Sequence, residues 1–534
     1  MKIIDRYKEE IEKEEAAGKE IICAYCDNET KSLNYIIDEL SKVELLDITS
    51  KDGRRCYQRG ILYIMCMAFN EVYPEAYITI DYQLTNAMFV KLDNMEITEE
   101  MLENVRNKMK EIIDNNYEIK KVTMTKEEAA DFYEKNKTLR GIAQLDNKQK
   151  EDVSLYYCQD YFNYFYGVMP ISTGYTKYFD LMKYKNGFLI RYPGVKDGKE
   201  IKPYKETKKL LSALQEYDDI YKALDINTVY KLNKMITSGR TSELILYSEA
   251  LQEKKIANIA DMIAQRPNVK MVLIAGPSSS GKTTFSKRLG VELRLNGMKP
   301  VTISVDNYFV ERPDTPRDEN GNYDFESLYA IDLDLFNRHI NSLLNGEEID
   351  VPTFDFKEGT KKYNGEKMRL HDDEILVVEG IHCLNDKLTE LVPLDRKFKI
   401  YISDLTVLNI DYFNRISTTD TRLIRRIVRD YKFRGYSALH TLATWQSVND
   451  GEAKNIFPYQ ENADVMFNSS IVYELSVLKQ YALPLLEEIT NDCVEYSDAK
   501  RLASFLKYFE AIPTDNIPKN SLLREFIGGS VFKY

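Results

Sequence analysis

Hydrophobic positions recur with two different periods along the chain. In residues 58–72 they return every three or four positions, which predicts a helix with an apolar face from Ile61 to Phe69. Residues 98–115 show the same period, and Thr98 is placed to cap this second helix. Shorter runs predict strands at 20–26, 43–48, 76–82 and 87–92, with a further helix at 33–40. The first part of the chain is therefore expected to be α+β.

From residue 269 onward, short apolar strands alternate with helices as far as about residue 470. This alternation is typical of a doubly wound parallel sheet, in which helices cover both faces. Residues 203–265 predict a run of helices that joins the two halves, and residues 471–534 are expected to be helical and then irregular. The expected fold class is α/β, with an α+β region in front of the parallel sheet.

A phosphate-binding loop is the clearest chemical motif. Residues 269–275 predict a strand, residues 276–283 spell Gly-Pro-Ser-Ser-Ser-Gly-Lys-Thr, and residues 284–293 predict a helix. In such a loop the backbone N–H groups converge on phosphate oxygens at the positive end of the helix dipole. Lys282 is placed to reach the β- and γ-phosphates of ATP, and the Thr283 hydroxyl to bind Mg²⁺. The predicted ATP-binding residues of the loop are Gly276, Ser278, Ser279, Ser280, Gly281, Lys282, Thr283 and Thr284.

Two carboxylates end apolar strands that follow the loop. Asp306 comes after the strand predicted at 301–305, and Glu379 lies at the end of the apolar run 374–380. The carboxyl ends of parallel strands meet at the ligand-binding edge of a doubly wound sheet. Asp306 could therefore accept a proton from a substrate hydroxyl or support Mg²⁺ through water, and Glu379 could order the metal and its waters. The alternatives are a turn role for Asp306 and a plain strand-end role for Glu379.

Four arginines recur at helical spacing later in the chain. Arg422, Arg425, Arg426 and Arg429 fall at i, i+3, i+4 and i+7, so they share one helical face. A helix of this kind can close over ATP and neutralise charge on the transferring phosphoryl group. On this interpretation Arg422 and Arg425 are catalytic, as is Lys282, and the other two arginines bind ATP. The alternative is a solvated basic face that pairs with local acids such as Asp430.

Taken together, residues 268–470 resemble the uridine kinase and phosphoribulokinase family. The segments GPSSSGKTT, VDNYF, VVEG and DTRLIRRIVRD match its P-loop, general-base segment, second acid and arginine lid, and PTFDF matches its pocket strand. The resemblance implies a kinase that uses ATP and Mg²⁺, with Asp306 as general base. The acceptor-binding residues that it implies are Asp306, Phe309, Phe354, Phe356 and Arg422.

Two departures from the family pattern concern the nucleobase. Uridine kinases have a His after the Asp-Phe of the pocket strand, whereas the corresponding place here is about Gly359, and no His occurs between 340 and 370. Glu326-Ser327 stands where the family has Asp-His. We therefore expect nucleoside kinase activity without a strict preference for uridine.

Residues 20–195 resemble a second family, the N-terminal half of threonyl-tRNA synthetases, through AYITIDYQL and GVMPISTGY. The editing site of that family uses two His, a Cys and a third His. The residues at these four positions are Tyr57, Ile61, Phe165 and Met169. The first 338 residues contain no His that could compensate. The resemblance therefore implies the fold of the editing domain but neither its activity nor a zinc site.

The expected domains follow from these resemblances. They are a β-grasp (TGS-like) module at 1–55, an editing-like domain at 56–200, a helical linker at 201–267, a P-loop nucleoside kinase domain at 268–470 and a C-terminal helical extension at 471–534.

Composition narrows the classes of function. The net charge of −12 disfavours a general nucleic-acid-binding protein, because phosphate contacts need clustered Lys and Arg, so a nucleic-acid partner is not expected. No apolar run of about 18 residues predicts a membrane span, and the first residues lack the apolar core of a secretory signal. Seven scattered cysteines suit a reducing cytoplasm. Whether the chain forms a homo-oligomer is left open.

The sequence thus predicts a cytoplasmic, ATP- and Mg²⁺-dependent kinase for the ribose 5′-hydroxyl of a nucleoside. One alternative is a kinase for another sugar or sugar phosphate. A second is an RNA-associated regulator that uses ATP as a switch, with the synthetase-like region as its recognition element. A kinase turns over ATP only with a small acceptor, whereas a switch responds to RNA.

Overall fold

The computed structural model describes residues 1–135, 152–195, 197–317, 321, 323–355 and 358–533. The chain begins with a small antiparallel sheet of order β2-β1-β3, followed by a long helix. The elements are α1 (Ile3–Arg6), α2 (Lys8–Ala16), β1 (Ile21–Cys26), β2 (Glu29–Ser32), β3 (Val43–Asp47) and α3 (Lys51–Val72). Helix α3 begins seven residues before the predicted start, because Ser50 caps it by accepting a hydrogen bond from the Gly53 N–H.

The helix predicted at 33–40 is wrong, since this segment forms turns and a single β-bridge. The carbonyl oxygens of Leu33 and Tyr35 accept hydrogen bonds from the N–H groups of Ile4 and Ile3. Backbone acceptors used in this way are lost to a helix. Leu33 and Ile37 are both buried, and their separation of four positions imitates a helical period.

Two further sheets form the region that follows. Their elements are β4 (Ile78–Leu84), β5 (Ala87–Leu92), α4 (Glu99–Asp114), β6 (Lys120–Thr125), α5 (Lys126–Lys135), β7 (Asp152–Cys158), β8 (Tyr161–Asn163), β9 (Asp180–Tyr184) and β10 (Gly187–Arg191). One sheet has the order β4-β5-β10-β9 and the other β6-β7-β8. The predicted cap is confirmed, because the Thr98 hydroxyl accepts a hydrogen bond from the Met101 N–H.

The rest of the chain builds a five-stranded parallel sheet of order β12-β15-β11-β16-β17, beside a β13-β14 hairpin. Its helices are α6 (Lys208–Ala223), α7 (Val229–Thr237), α8 (Thr241–Ala264), α9 (Lys282–Leu295), α10 (Leu333–Leu344), α11 (Thr418–Arg429), α12 (Ala438–Asn455), α13 (Glu474–Glu487), α14 (Tyr496–Leu506) and α15 (Arg524–Ile527). Its strands are β11 (Met271–Ala275), β12 (Lys299–Ser304), β13 (Glu348–Asp355), β14 (Thr360–Arg369), β15 (Glu374–Glu379), β16 (Lys397–Ser403) and β17 (Val465–Asn468).

Helices cover both faces of this sheet, as the strand–helix alternation predicted. Alternate residues of β11 enter different cores: Val272 packs in a cluster with Phe285 of α9, and Leu273 in a cluster with Phe336 of α10. The α/β fold class is therefore confirmed. Among the described residues, no helix combines the length and the apolarity of a membrane span.

The helices at 201–267 pack in the main hydrophobic core. Buried side chains of α6, α7 and α8 belong to the same apolar cluster as β11 and α9. Tyr82, Phe89 and Leu189 from the N-terminal region enter this cluster as well. The N-terminal region and the parallel sheet therefore share one continuous hydrophobic core, and a cut between them would expose it.

Candidate active site

The P-loop connects β11 to α9 and has the backbone geometry that phosphate binding requires. A side chain on Gly276 would place a Cβ atom 1.9 Å from the Ile402 carbonyl oxygen, so only glycine fits there. Gly281 has a φ of 85°, in the left-handed region that favours glycine, just before α9 begins. The hydroxyl oxygens of Ser279 and Ser280 are buried and lack a hydrogen-bond partner within the described part of the chain. Buried hydroxyls of this kind fit a loop that is built around an anion.

Lys282 lies inside this loop among several carboxylates. Its Nζ donates hydrogen bonds to the carbonyl oxygens of Gly276 and Pro277, at 2.9 and 3.0 Å. Burial lowers the pKa of Lys282, and nearby carboxylates raise it. In decreasing order of effect, these carboxylates are Glu379, Asp306, Glu525 and Glu452. Thr283 follows on the first turn of α9 and is partly exposed.

Asp306 and Glu379 meet the P-loop at the carboxyl edge of the sheet. Glu379 of β15 pairs with Ser304 of β12 on one side and with Ile274 of β11 on the other. Asp306 follows Ser304 by two residues, and the P-loop begins two residues after Ile274. Three neighbouring strands therefore bring both acids to the loop.

Loss of hydration raises the pKa of both acids. Asp306 is open to solvent on one side, but the surrounding protein raises its pKa, while Lys282 and Arg434 lower it. Burial raises the pKa of Glu379 to about 7, and Lys282 opposes this shift. A carboxylate with a raised pKa is a stronger proton acceptor, which suits Asp306 to the role of general base.

Three arginines of α11 contact the P-loop. Arg422 Nη1 donates to the Ser278 carbonyl oxygen at 3.2 Å, and Arg426 Nη1 donates to the Ser278 hydroxyl at 3.0 Å. Arg425 Nη1 donates to the Ser279 carbonyl oxygen at 3.3 Å. The arginine-rich helix and the phosphate loop are thus direct neighbours.

Arg422 and Arg425 are fully buried in ion pairs. Arg422 forms a bidentate pair with Glu452 at 2.7 and 2.8 Å, and Arg425 Nε donates to Glu474 at 2.5 Å. Both guanidinium groups are committed to protein acceptors, so their observed contacts shape the loop. A direct role of either group in phosphoryl transfer stays a prediction.

Arg429 lies farther along α11 and pairs with a local acid. Its Nε and Nη2 donate to Asp430 at 2.9 and 2.8 Å. This is the pairing that the sequence offered as the alternative for the whole arginine face. Binding of ATP by Arg429 would require this pair to open.

Two carboxylates that belong to no sequence motif accept hydrogen bonds from backbone N–H groups of the P-loop region. Glu452 Oε1 accepts a hydrogen bond from the Ser278 N–H at 2.8 Å. Glu525 Oε2 accepts from the Thr284 N–H at 3.0 Å and from its hydroxyl at 2.7 Å. These acids lie 174 and 241 residues beyond their partners, so only the fold brings them there.

Two of the aromatic residues that were predicted to bind the acceptor are neighbours in the fold. The ring centroids of Phe309 and Phe354 are 5.5 Å apart, so both predicted acceptor residues lie together. Phe356 lies outside the described residues. Glu326, which departs from the family pattern, has a pKa raised to about 7, first by burial and then by Glu452. Lys282 and Asp306 also act on Glu326, which places it near the P-loop.

The donor set fits a magnesium ion that is shared with phosphate. Glu379 Oε2 is buried and without a hydrogen-bond partner in the described residues, and the Thr283 hydroxyl lies at the start of α9. Within the same described ranges, no cluster of three or more His, Cys, Asp or Glu could hold a metal alone. Mg²⁺ commonly takes one or two protein ligands and completes its shell with water and phosphate.

Comparison with known proteins assigns this site to a family. The sequence profile of the Phosphoribulokinase / Uridine kinase family matches residues 271–476. A uridine kinase of Anoxybacillus flavithermus is 31% identical over 163 residues, which are 30% of this chain and 67% of that enzyme. The chain belongs to the phosphoribulokinase / uridine kinase family. A uridine kinase of Oceanobacillus iheyensis is 28% identical over 207 residues, 38% of this chain and 88% of that enzyme. A member of this family is a kinase, a phosphotransferase with an alcohol acceptor.

The N-terminal region has a different relative. A threonine–tRNA ligase of Fusobacterium nucleatum is 30% identical over 172 residues, which are 31% of this chain and 27% of that enzyme. The second resemblance seen in the sequence is thereby confirmed. The four residues at the editing positions lie in one apolar cluster; they are Tyr57, Ile61, Phe165 and Met169.

Proposed function

We propose that this kinase transfers the γ-phosphoryl group of ATP to the 5′-hydroxyl of a nucleoside. The observation that carries the proposal is the meeting of the P-loop, Asp306 and Glu379 at the carboxyl ends of three adjacent parallel strands. Doubly wound sheets bind ligands at this edge. Phe354, which is partly exposed beside the buried ring of Phe309, offers flat apolar surface for a base.

Asp306 orients and deprotonates the acceptor hydroxyl in this proposal. Its raised pKa makes it a better base than an ordinary aspartate, and its open side lets an acceptor approach. Lys282 binds the β- and γ-phosphates after releasing the carbonyl oxygens of Gly276 and Pro277. Transfer then depends mainly on positioning and on neutralisation of the phosphoryl oxygens.

Magnesium would be held by the Thr283 hydroxyl and, through water, by Glu379. When bound, Mg²⁺ supplies positive charge to the phosphate oxygens. Burial without a hydrogen-bond partner prepares Glu379 Oε2 to accept from ordered water. The protein itself contributes the fixed positions of these two oxygen ligands.

Cations of the lid divide into two groups in this proposal. Arg426, Arg429 and Arg434 are at least partly exposed and share Asp430 as their ion-pair partner, so each would leave that pair to approach ATP. Arg434 also acts electrostatically on Asp306. Arg422 and Arg425 hold the P-loop carbonyl groups in place from the buried side. Deletion of a buried partner leaves an unpaired charge, so Arg422 and Arg425 substitutions would also affect folding.

The test is a screen of acceptors for ADP release with MgATP. The panel contains the ribonucleosides, the deoxyribonucleosides, free sugars, sugar phosphates and a short single-stranded RNA, with phosphorus NMR to locate the new monoester. The proposal expects ADP release with nucleosides, formation of 5′-monophosphates and a uridine preference below about 10⁴ over other nucleosides. Turnover with sugars or sugar phosphates alone would contradict the nucleoside assignment, and turnover with RNA alone would favour the switch.

Lys282→Ala is the control for where ADP release takes place. Removal of this cation should lower the rate by about 10²–10³ or more, because electrostatic stabilisation of the transferring group is lost. A rate that stays above about a tenth of the parent rate would show that turnover does not occur at the P-loop.

A further inference from the structure

A cavity of about 1010 Å³ lies apart from the kinase cleft. Its walls come from β2, α3, the segment 164–170, α7 and α14, so the N-terminal region and the C-terminal extension both contribute. Neither the P-loop nor Asp306 belongs to its described lining. Its volume is at the upper end of the range for small-molecule sites.

Aromatic rings form much of the cavity wall. The aromatic lining residues are Tyr35, Tyr156, Tyr164, Phe165, Tyr166, Tyr230 and Tyr508. The hydroxyls of Tyr156 and Tyr166 already donate to backbone carbonyl oxygens, at 2.6 and 2.5 Å, and those of Tyr164 and Tyr508 bond to each other. What these residues offer a ligand is therefore mainly ring surface, which suits a flat heterocycle.

The cavity lining carries a small excess of basic residues. It has eight Lys or Arg and five Asp or Glu, and two further acids, Asp420 and Asp498, pair with its arginines from behind. Four of the basic side chains already form ion pairs with acidic residues of the protein: Lys31, Arg55, Lys500 and Arg501. Arg59 Nε donates a hydrogen bond to the Val168 carbonyl oxygen at 2.7 Å. Lys234 is exposed on α7. The small positive excess that remains, with Arg59 and Lys234 as its cations, fits one phosphate group better than a long polyanion.

We propose that this cavity binds a free nucleotide, and that the bound nucleotide changes the affinity of the kinase site for ATP. Ring surface for a base and a small excess of cations for a phosphate are the two requirements of a nucleotide site, and this cavity meets both. The regulatory half of the proposal rests on the proposed kinase function, whereas the binding half does not.

The cavity wall is bonded directly to the arginine-bearing helix α11. Arg501 forms a bidentate pair with Asp420, in the first turn of α11, at 2.7 and 2.8 Å. Tyr166 donates through its hydroxyl to the Arg501 carbonyl oxygen and through its N–H to Asn414, four residues before α11. Because Arg422 and Arg426 of the same helix contact the P-loop, a shift of Arg501 would be transmitted to the ATP site.

Binding is tested on the full chain by calorimetry with AMP, CMP, GMP and UMP, and separately with a short single-stranded RNA. The Lys282→Ala background is used throughout, so that binding at the P-loop is weakened. The proposal expects a monophosphate to bind and the double change Arg59→Gln/Lys234→Gln to weaken it by about tenfold or more, as for lost charge-assisted contacts. Lys231→Gln is the matched control, because Lys231 lies on α7 outside the lining and pairs with Asp225.

Three binding outcomes would overturn the proposal. They are no binding of any monophosphate, equal binding by the double variant, and tighter binding of RNA than of every nucleotide. Lys234→Gln alone should still weaken nucleotide binding, though by less than the double change. Because Lys234 is exposed, this single variant keeps the test valid if Arg59→Gln disturbs folding.

Coupling is tested by the KM for ATP with and without the nucleotide that binds best. Wild type should show a change of about fivefold or more, the size of a modest allosteric coupling. Asp420→Asn, outside the lining, should keep nucleotide binding but lose most of this change, because asparagine cannot accept the charged bidentate pair from Arg501, which keeps Asp498 as a partner. An unchanged KM in wild type, with binding intact, would overturn the regulatory half; absence of any kinase activity would instead count against the proposed function.

Discussion

Glu525 accepts two hydrogen bonds from Thr284 through one carboxylate oxygen, at 3.0 Å from the N–H and 2.7 Å from the hydroxyl. Thr284 lies in the first turn of α9, where N–H groups have no acceptor within the helix. This N–H is one of the donors that a P-loop offers to phosphate. A bound phosphate group would therefore have to displace Glu525 from Thr284.

We expect Glu525→Gln to lower the KM for ATP. A carboxylate at a helix N-terminus gains about 0.5–1 kcal/mol from the dipole, so removal of its charge should lower KM by about two- to fivefold. Initial rates over a range of ATP concentrations at saturating acceptor measure the effect. Glu488→Gln is the matched control, since Glu488 is exposed in the same extension. A KM that stays the same or rises would show that Glu525 does not compete with ATP.

The free energy of unfolding should depend on pH between about 4.5 and 7 because of Glu326. Burial and Glu452 raise its pKa to about 7 in the folded protein, from 4.5 in the unfolded chain. The folded state then holds a proton that the unfolded state releases, so stability falls as pH rises from about 4.5 to about 7 and stays low above. Glu326→Gln removes this titration.

The Tm of Glu326→Gln relative to wild type should therefore rise across this window and level off above pH of about 7. Thermal unfolding from pH 5 to 8.5 measures the difference. Glu390→Gln, at an exposed position, is the control for loss of a carboxylate as such. A constant difference for Glu326→Gln would contradict the raised pKa.

The N-terminal region should release no amino acid from mischarged tRNA. Tyr57 uses its hydroxyl on the Tyr178 carbonyl oxygen at 2.8 Å, and Ile61, Phe165 and Met169 are buried. None of these groups is a proton shuttle near neutral pH. The full chain is the right sample, because fragments would split the shared core. Deacylation above the uncatalysed rate, or stoichiometric zinc, would contradict this prediction.

Sequence reasoning located the parts of the site that depend on neighbours along the chain. The strand–loop–helix around Lys282 and the strand-end acids Asp306 and Glu379 are local patterns, and the parallel sheet places them together. The helical spacing of the arginines also predicted that they share one helical face near the phosphate site, and Arg422 and Arg426 of α11 contact the P-loop.

Contacts between segments that are distant along the chain could not be predicted from the sequence. Glu452 and Glu525 carry no motif, and whether an arginine is a free cation depends on such partners. Arg422 and Arg429 share a helical face, yet the first is fully buried with Glu452 and the second pairs with Asp430. The cavity with the aromatic lining could likewise not be predicted from the sequence, because β2, α7 and α14 are distant along the chain and meet only in the fold.

The most direct test of the account is the rate of phosphoryl transfer from MgATP to a nucleoside by Asp306→Asn. Asparagine keeps the shape of Asp306 but cannot accept the hydroxyl proton, so kcat should fall by about 10²–10⁴. The KM for ATP should stay within about threefold, because Asp306 acts on the acceptor rather than on ATP. A kcat within about threefold of wild type, with weaker ATP binding, would contradict the account and assign Asp306 to metal support.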